Sequence, residues 1–600
     1  MRVRVKQGPL TVKAVAGTYD VLLAFDLEDA GRPDCLGFSI ERTDLDDGDK
    51  RRWLPNMVGF PSDPTKEHLN TARAPLQTFR WGDYTAKPGK RYRYRVVPRY
   101  GSDAEVIAAA EADAAGDVNA IPGGVSVEVK TADPKDPETA VFFNRGAAAS
   151  KAYVDKFGDK DPDEVPDNAA YDWLSRGLRE SIVDYLATAT GPEYALHGAV
   201  YEFRHPELLG ELAKAKARGV DVRFVYHARC KDGPAHDEDH DERAAAAEAP
   251  LNAGAPAERA EKAQKDHARR ENEEAIRETG LDAALGEGAL IPREANPQGA
   301  IMHDKYVVRL RNGVPEAVLT GSTNWTNGGL YGQLNVVHIV NDPQVAAAYE
   351  AGFQLLSGDP KAAETKAGNA RITPVPRSVA AIPAGVTPVF SPQPDLAMLD
   401  LYAEICRNAK LLFISAPFLL HEKIRTVITG PSNGALRYVM GDKEGSFGKK
   451  GDIDIVNGDP GRVGVAAMSL KTELHDFQGG LLEGKESFHH AGVHIHTKII
   501  LADPFGEDPI LVGGSANFSE GSTVKNDSNT LIVRGRPAVT DIYATEFMRM
   551  FQHYWFRYRE SKQAATASPP LALRLDDGWQ EKFYTADSTD MRDRTAFSAP

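Results

Sequence analysis

Residues 1 to about 135 alternate apolar and polar side chains in short runs: VRVKQ, TYDVLLAFDL, LGFSIERT, LQTFRWGDY, RYRYRVVPRYG and VSVEVKT, with turn residues between them. A period of two sends successive side chains to opposite faces, so each run predicts a strand with one buried face. Together they predict an all-β sandwich. Past residue 140 the period lengthens. Residues 171–190 repeat with helical spacing, 194–203 read as a strand, 206–218 as an amphipathic helix stopped by Gly219, and 220–227 as another strand. Strands alternating with helices predict a sheet with helices on its faces. After Ile372 the rhythm returns, with a helix over 399–408, a strand over 410–416, a helix over 421–429 and a strand over 435–440. The chain reads as two copies of one α/β unit behind a β-domain.

Residues 231–290 interrupt the first copy with a stretch rich in Ala, Glu, Asp, Lys and Arg. His236, Asp239 and His240 lie there in HDEDHDE and have the chemistry of metal ligands. Acidic, Ala-flanked stretches are more often solvated insertions, and solvation is the expectation. Six hundred residues exceed one hydrophobic core, and 42% hydrophobic residues support several packed domains. The longest nearly unbroken apolar run, 411–420, is about half of what a bilayer-spanning helix needs. The opening MRVRVKQGPLTV lacks the apolar stretch of a secretion signal and reads as the start of a strand. With 71 Lys+Arg against 86 Asp+Glu the net charge is −15, and no basic stripe is visible in the sequence. That lowers nucleic acid as a default partner. Cys35, Cys230 and Cys406 are too few and too scattered for a disulfide framework or a zinc site, so a reducing, cytoplasmic setting is expected.

Chemistry concentrates in a repeated pattern. IMHDKYVV is followed by LTGSTNWT, and HIHTKIILAD by VGGSANFS. From His303 the offsets to Gly321, Ser322 and Asn324 are 18, 19 and 21; from His496 to Gly514, Ser515 and Asn517 they are again 18, 19 and 21. On a strand, residues two apart share a face, so His303 points with Lys305 and His496 with Lys498. A Ser and an Asn two apart on the neighbouring strand join each pair. Two such half-sites facing each other enclose an anion between two lysines, with a histidine on either side.

These residues resemble the signature of the phospholipase D superfamily, H-x-K-x4-D followed by G-S-x-N and usually present twice. His496, Lys498, Asp503, Gly514, Ser515 and Asn517 match it throughout, whereas Leu310 takes the Asp position of the first copy. The resemblance covers about residues 140–560 and implies a two-step cleavage of a phosphodiester that uses no metal or other cofactor. It implies His303 as the nucleophile that forms a phosphohistidine, and His496 as the acid that protonates the leaving oxygen and then activates water. Lys305, Lys498, Asn324 and Asn517 would stabilise the non-bridging oxygens, with Ser322 and Ser515 as substrate contacts and Asp503 in the catalytic set. Members often carry an acidic residue after the G-S-x-N strand to support the histidine. Here GQLNVV and NDSNTL offer Gln333 and Asp527 as the nearest candidates. The run KPGKRYRYRV at 87–96 resembles the turn and penultimate strand of a fibronectin type III domain.

The implied architecture is an α/β phospholipase D-like fold behind a sandwich. A fibronectin III-like domain spans 1–135, and two pseudo-two-fold related α-β-α half-domains span 136–375 and 376–565. A tail over 566–600 wraps a surface or is partly disordered. Both motifs lie in one chain, so a monomer suffices for catalysis. A phospholipid head-group diester is favoured as substrate. A nuclease acting on DNA or RNA and a non-catalytic binding scaffold are the alternatives. Trp325, Phe518 and His494 are expected in the core, and His489 and His490 at the surface. GDKEGSFGKKGD at 441–452 departs from the P-loop pattern at Lys443 and Lys450, and Lys449 with Lys450 reads as a basic lid.

Overall fold

The computed structural model describes residues 2–56, 58–65, 69–146, 151–158, 160–228, 257–296, 299–442, 444–448, 456–466, 495–564 and 572–600. Cys230, His236, Asp239, His240, Lys443, Lys449, Lys450, His489, His490 and His494 lie outside the described residues.

The N-terminal part holds β1 (Arg2–Gln7), β2 (Leu10–Ala16), β3 (Val21–Leu27), β4 (Cys35–Asp44), β5 (Lys50–Trp53), β6 (Arg80–Asp83), β7 (Arg91–Tyr100) and β8 (Val125–Lys130). They form two four-stranded antiparallel sheets, β1-β2-β3-β6 and β5-β4-β7-β8. The alternation is plain in β8, where Val125, Val127 and Val129 are buried and the residues between them exposed. Helix Asp103–Ala114, which alternation does not announce, starts from a capping box between Ser102 and Glu105. The end of the chain is built into this unit. Trp579 and Phe583 join its core beside Phe25, Phe38 and Phe79, and the Trp579 indole donates to Cys35 O at 2.8 Å.

Two seven-stranded sheets follow. The first holds β9 (Val141–Phe143), β10 (Tyr194–Val200), β11 (Asp221–His227), β12 (Leu290–Arg293), β13 (Lys305–Arg311), β14 (Val314–Gly321) and β15 (Val336–Val340). The second holds β16 (Gly385–Ser391), β17 (Leu411–Ala416), β18 (Leu436–Gly441), β19 (Arg462–Ala466), β20 (Ile499–Ala502), β21 (Ile510–Gly514) and β22 (Ser528–Arg534). Their orders are β12-β11-β10-β13-β14-β15-β9 and β19-β18-β17-β20-β21-β22-β16. In each, the first three strands run parallel and the remaining pairs antiparallel. Register repeats as well: Tyr306 opposes Thr320 as Ile499 opposes Gly513, and Gly321 opposes Val337 as Gly514 opposes Thr530.

The apolar run at 411–420 is strand β17, buried throughout, and the loop after it. Helical spacing over 171–190 becomes two helices, Ala169–Ser175 and Leu178–Ala187, because Arg176 and Gly177 take left-handed backbone at φ 52° and 90°. Arg176 reaches both carboxylate oxygens of Glu546, at 2.8 Å each, on the long helix Pro537–Ala564. One hydrophobic cluster runs from Val15 of the sandwich through Tyr306 and Phe413 to Phe547 of that helix, locking the sheets together. Among the described residues no helix is long and apolar enough to cross a membrane.

Candidate active site

The histidines stand just ahead of β13 and β20, where the halves exchange backbone bonds. Met302 bridges to Asp527 and Leu334 to Ile495, pairs that correspond under the 193-residue offset. His303 N donates to Asp527 O at 2.6 Å, and His496 N to Leu334 O at 3.1 Å. These reciprocal contacts set the two rings face to edge, with centroids 6.3 Å apart. Lys305 and Lys498 are buried beside them, each ammonium donating to the carbonyl of its own histidine at 2.9 and 2.6 Å.

Gly321 and Gly514 are required where they stand. At φ 152° and 143°, a Cβ there would lie 2.1 Å from Val336 O and 2.5 Å from Asn529 O. The next residues, Ser322 and Ser515, are fully buried and are not placed as substrate contacts, contrary to expectation. Ser322 Oγ donates to Asn335 Oδ1 at 2.7 Å and accepts the Val336 N–H at 3.1 Å. Ser515 Oγ does the same with Asn529, at 3.0 Å to Oδ1 and 2.9 Å from N. Both hydroxyls brace an asparagine behind the site.

Asn335 is the support the sequence did not single out. Its Nδ2 donates to Gly329 O at 2.9 Å, so Oδ1 is the atom that meets Ser322 and His496 Nδ1, the latter at 3.0 Å. An amide oxygen only accepts, which assigns the proton to His496 Nδ1 and leaves Nε2 for chemistry. Gln333 and Asp527 do other work. The Asp527 carboxylate pairs at 3.0 Å with the fully buried Arg293, and Gln333 O accepts from Asn144 Nδ2 at 2.7 Å. A signal for Asn335 existed, because an Asn follows the serine by 13 residues in one copy and 14 in the other. Asn529 turns its Nδ2 to Thr320 Oγ1 (2.6 Å) and Tyr349 Oη (2.9 Å), and His303 Nδ1 is buried without a hydrogen-bond partner.

Asn324 is buried and its amide donates to Glu202, a carboxylate just past β10 that also pairs with Arg204 at 3.2 Å. Asn517 is half-buried on the opposite side. Tyr201 packs its ring 5.3 Å from that of His303. The insertion is not solvated here: in helix Ala257–Glu278, Ala268, Asn272 and Ile276 form a buried face. Asn272 seats it by bonds to Phe203 N (2.7 Å), Tyr201 O (2.8 Å) and His227 O (3.1 Å).

Asp503 does not join the cluster. It stands past the far end of β20, where its Oδ1 accepts Lys410 N and Leu411 N at 2.9 Å each and ties down the start of β17. At four residues beyond Ile499 it is carried away from the histidines, and its counterpart Leu310 is a core residue. Trp325 and Phe518 pack into the cores of their halves, as expected.

Residues 182–356 match the family model described as cardiolipin synthase, PLD-like domain. The chain carries a phospholipase D-like domain. The match contains His303 through Asn335, and the second motif lies beyond it. No relative is found among curated proteins. Among solved structures, the chain is similar to phosphatidylserine synthase of Haemophilus influenzae at 13% identity and TM-score 0.38, over 66% of this chain and 92% of that one. It is similar to Nuc of Salmonella typhimurium, a phospholipase D family member, at 17% and 0.20, over 29% and 94%. It is also similar to polyphosphate kinase of Porphyromonas gingivalis at 10% and 0.32, over 61% of this chain, and it spans only 46% of that kinase.

Between the phospholipase D-like domain and the second sheet, burial governs the charges. His303 and His496 are held well below the ordinary histidine value, first by burial and then by repulsion. Lys305 and Lys498 act against a proton on either ring, and a proton on one histidine acts against a proton on the other. Burial also pushes Lys305 down to about 7 against the pull of Glu202 and Asp304. Lys498 is lowered further from its ordinary value by burial and by Lys305.

Proposed function

We propose that this protein is a phosphodiesterase that cleaves its substrate through a phosphohistidine without a metal. The observation that carries the reading is the pair of buried lysines beside two histidines whose rings meet face to edge with centroids 6.3 Å apart. A phosphoryl group between them adds counter-charge to the pull of Glu202 and Asp304, which does not offset burial of the lysines. His303 keeps its lone pair and attacks phosphorus. As the P–O bond to the leaving group breaks, His496 gives that oxygen its proton. His496 then takes a proton from water, which attacks the phosphohistidine, frees His303 and releases the phosphomonoester. Lys305 and Lys498 hold the non-bridging oxygens, with Asn324 and Asn517 at the edges.

Repeated strand order, repeated register and reciprocal bridges support two half-domains related by a pseudo-two-fold axis, with a monomer as the active form. The two four-stranded sheets support a fibronectin-like sandwich over 1–135. Buried, unpaired Cys35 and Cys406 support a cytoplasmic setting. A phospholipid is the favoured diester because the rim has two characters. Phe418 and Leu419, 47% and 51% exposed, follow β17 directly, and His421 beyond them donates to Phe518 O, next to Asn517. Glu202 and Arg204 take the other side. One apolar and one charged flank suit a diester with one apolar and one polar substituent.

The deciding experiment measures product release from mixed phospholipid vesicles and from labelled single-stranded DNA in EDTA, for wild type and His496→Ala side by side. Head-group release that disappears in the variant is the expected result. DNA cleavage that disappears instead makes the protein a nuclease. Wild type turning over neither substrate favours the binding scaffold.

A further inference from the structure

At the opposite end of the second sheet from the histidines, a cavity of about 550 Å³ opens between the end of helix Ala397–Asn408, helix Glu422–Thr429 and the 430–435 loop before β18. Lys410 lies at the start of β17, held by Asp503, while Ser415 near the other end of that strand meets Thr497 Oγ1 at 2.7 Å, beside Lys498. A strand of this length spans roughly 20 Å, so the cavity is separate from the catalytic cluster.

Its charged lining is Arg407, Lys410, Lys423 and Arg437, and no carboxylate contributes to it. That is unusual for a chain of net charge −15. Lys423 pairs with Asp400 outside the cavity, whereas Arg407 and Lys410 are exposed and have no carboxylate partner among the described residues. Arg437 is the telling residue. Only 4% exposed, it gives its terminal nitrogens to the carbonyls of Val427 (2.8 Å), Gly430 (3.2 Å) and Pro431 (3.3 Å), and its Nε is buried without a partner. No carboxylate bonds it among the described residues: Asp459, which pairs with Arg462, attracts it only from a distance, and Arg462 adds the larger repulsion. A buried guanidinium with so little counter-charge costs stability unless an anion arrives to supply more.

We propose that this cavity binds a phosphate-bearing anion of at least two negative charges. A volume of this size fits a small phosphorylated metabolite or the phosphomonoester head of a lipid. Guanidinium groups hold either by charge-assisted, forked hydrogen bonds.

The test is calorimetric titration of the full chain with sodium pyrophosphate, on wild type, Arg407→Glu/Lys410→Glu and Lys305→Ala/Lys498→Ala. Saturable binding is expected to persist in the Lys305/Lys498 variant and to weaken at least about tenfold in the Arg407/Lys410 variant, whose replaced side chains are exposed. Co-sedimentation with vesicles containing phosphatidic acid runs in parallel. Vesicle binding without pyrophosphate binding, lost in the same Arg407/Lys410 variant, assigns the anion to a lipid head. Absence of both kinds of binding overturns the proposal. So does binding that vanishes with Lys305 and Lys498 and ignores Arg407 and Lys410, which places the anion in the catalytic cluster.

Discussion

In the first half, β10 runs out into Tyr201, Glu202 and Arg204, and Asn272 seats a charged helix on that edge. In the second half, β17 runs out into Pro417, Phe418 and Leu419, and two large apolar side chains stand in solvent. Behind these unlike rims the framework is shared: a glycine against a facing carbonyl, a serine braced on an asparagine, and a histidine amide bonded across to the other half. Even there the asparagines diverge, since Asn335 holds His496 while Asn529 turns to Thr320 and Tyr349. The lesson is that equal placement of two histidines does not give them equal partners: His496 Nδ1 meets Asn335 Oδ1, and His303 Nδ1 has no hydrogen bond among the described residues. A nucleophile and an acid need different protonation states at one pH, and unequal surroundings provide them.

That inequality can be broken outright. Replacing either histidine by Ala should cut turnover of an alkyl diester by about 10⁴-fold or more, but only His496→Ala should recover with a p-nitrophenyl leaving group, which departs without an acid. Recovery in His303→Ala instead would exchange the two roles. Removing the brace comes next. Asn335→Ala should lower kcat roughly 10- to 100-fold, as expected for loss of a hydrogen bond to a charged ring, with a much smaller effect from Asn529→Ala. In Asn335→Asp, the added carboxylate should favour the protonated His496 ring and move the alkaline limb of the kcat profile, where the acid loses its proton, to higher pH.

A smaller effect follows from Lys305. With its ammonium pushed down to about 7 in the empty site, the group is charged below that pH and neutral above it. Measured kcat/KM, which reports the free protein, should therefore fall as pH rises through about 7, and Lys305→Arg should flatten that limb. The smallest catalytic effect belongs to the far end of the sheet. Asp503→Ala should cost about 1–3 kcal/mol in urea unfolding, by orphaning two backbone N–H groups, while kcat stays within about twofold of wild type.

Much of this site was legible in local pattern. Alternation aimed His303 with Lys305 and His496 with Lys498, and equal offsets announced two half-sites before any sheet was known. The role of Asn335 was not legible: an Asn at a similar distance after each serine marks the position, but its histidine partner is reached only when the halves meet through Leu334 and Ile495. Glu202 stands in no repeated pattern and gains its place from the path of β10 toward Asn324. Asp503 misled in the other direction. It matches the signature, yet five residues past Lys498 a strand has already run to the far side of the sheet. The helix at Asp103–Ala114 escaped because its Ala-rich sequence shows no contrast between faces, and the tail because Trp579 and Phe583 find their partner Phe79 about 500 residues away.

The place of those two aromatics sets an order of events during synthesis. Trp579 stacks on Phe79 at 5.4 Å and Phe583 meets the same ring at 5.0 Å, so the core of the sandwich is finished by residues made long after its last strand. At about 5–20 residues per second, a ribosome needs roughly 20 to 90 s to travel from the last strand of the sandwich to Trp579. Throughout that interval the sandwich lacks its own lid. It is made before the two large sheets and closes after them.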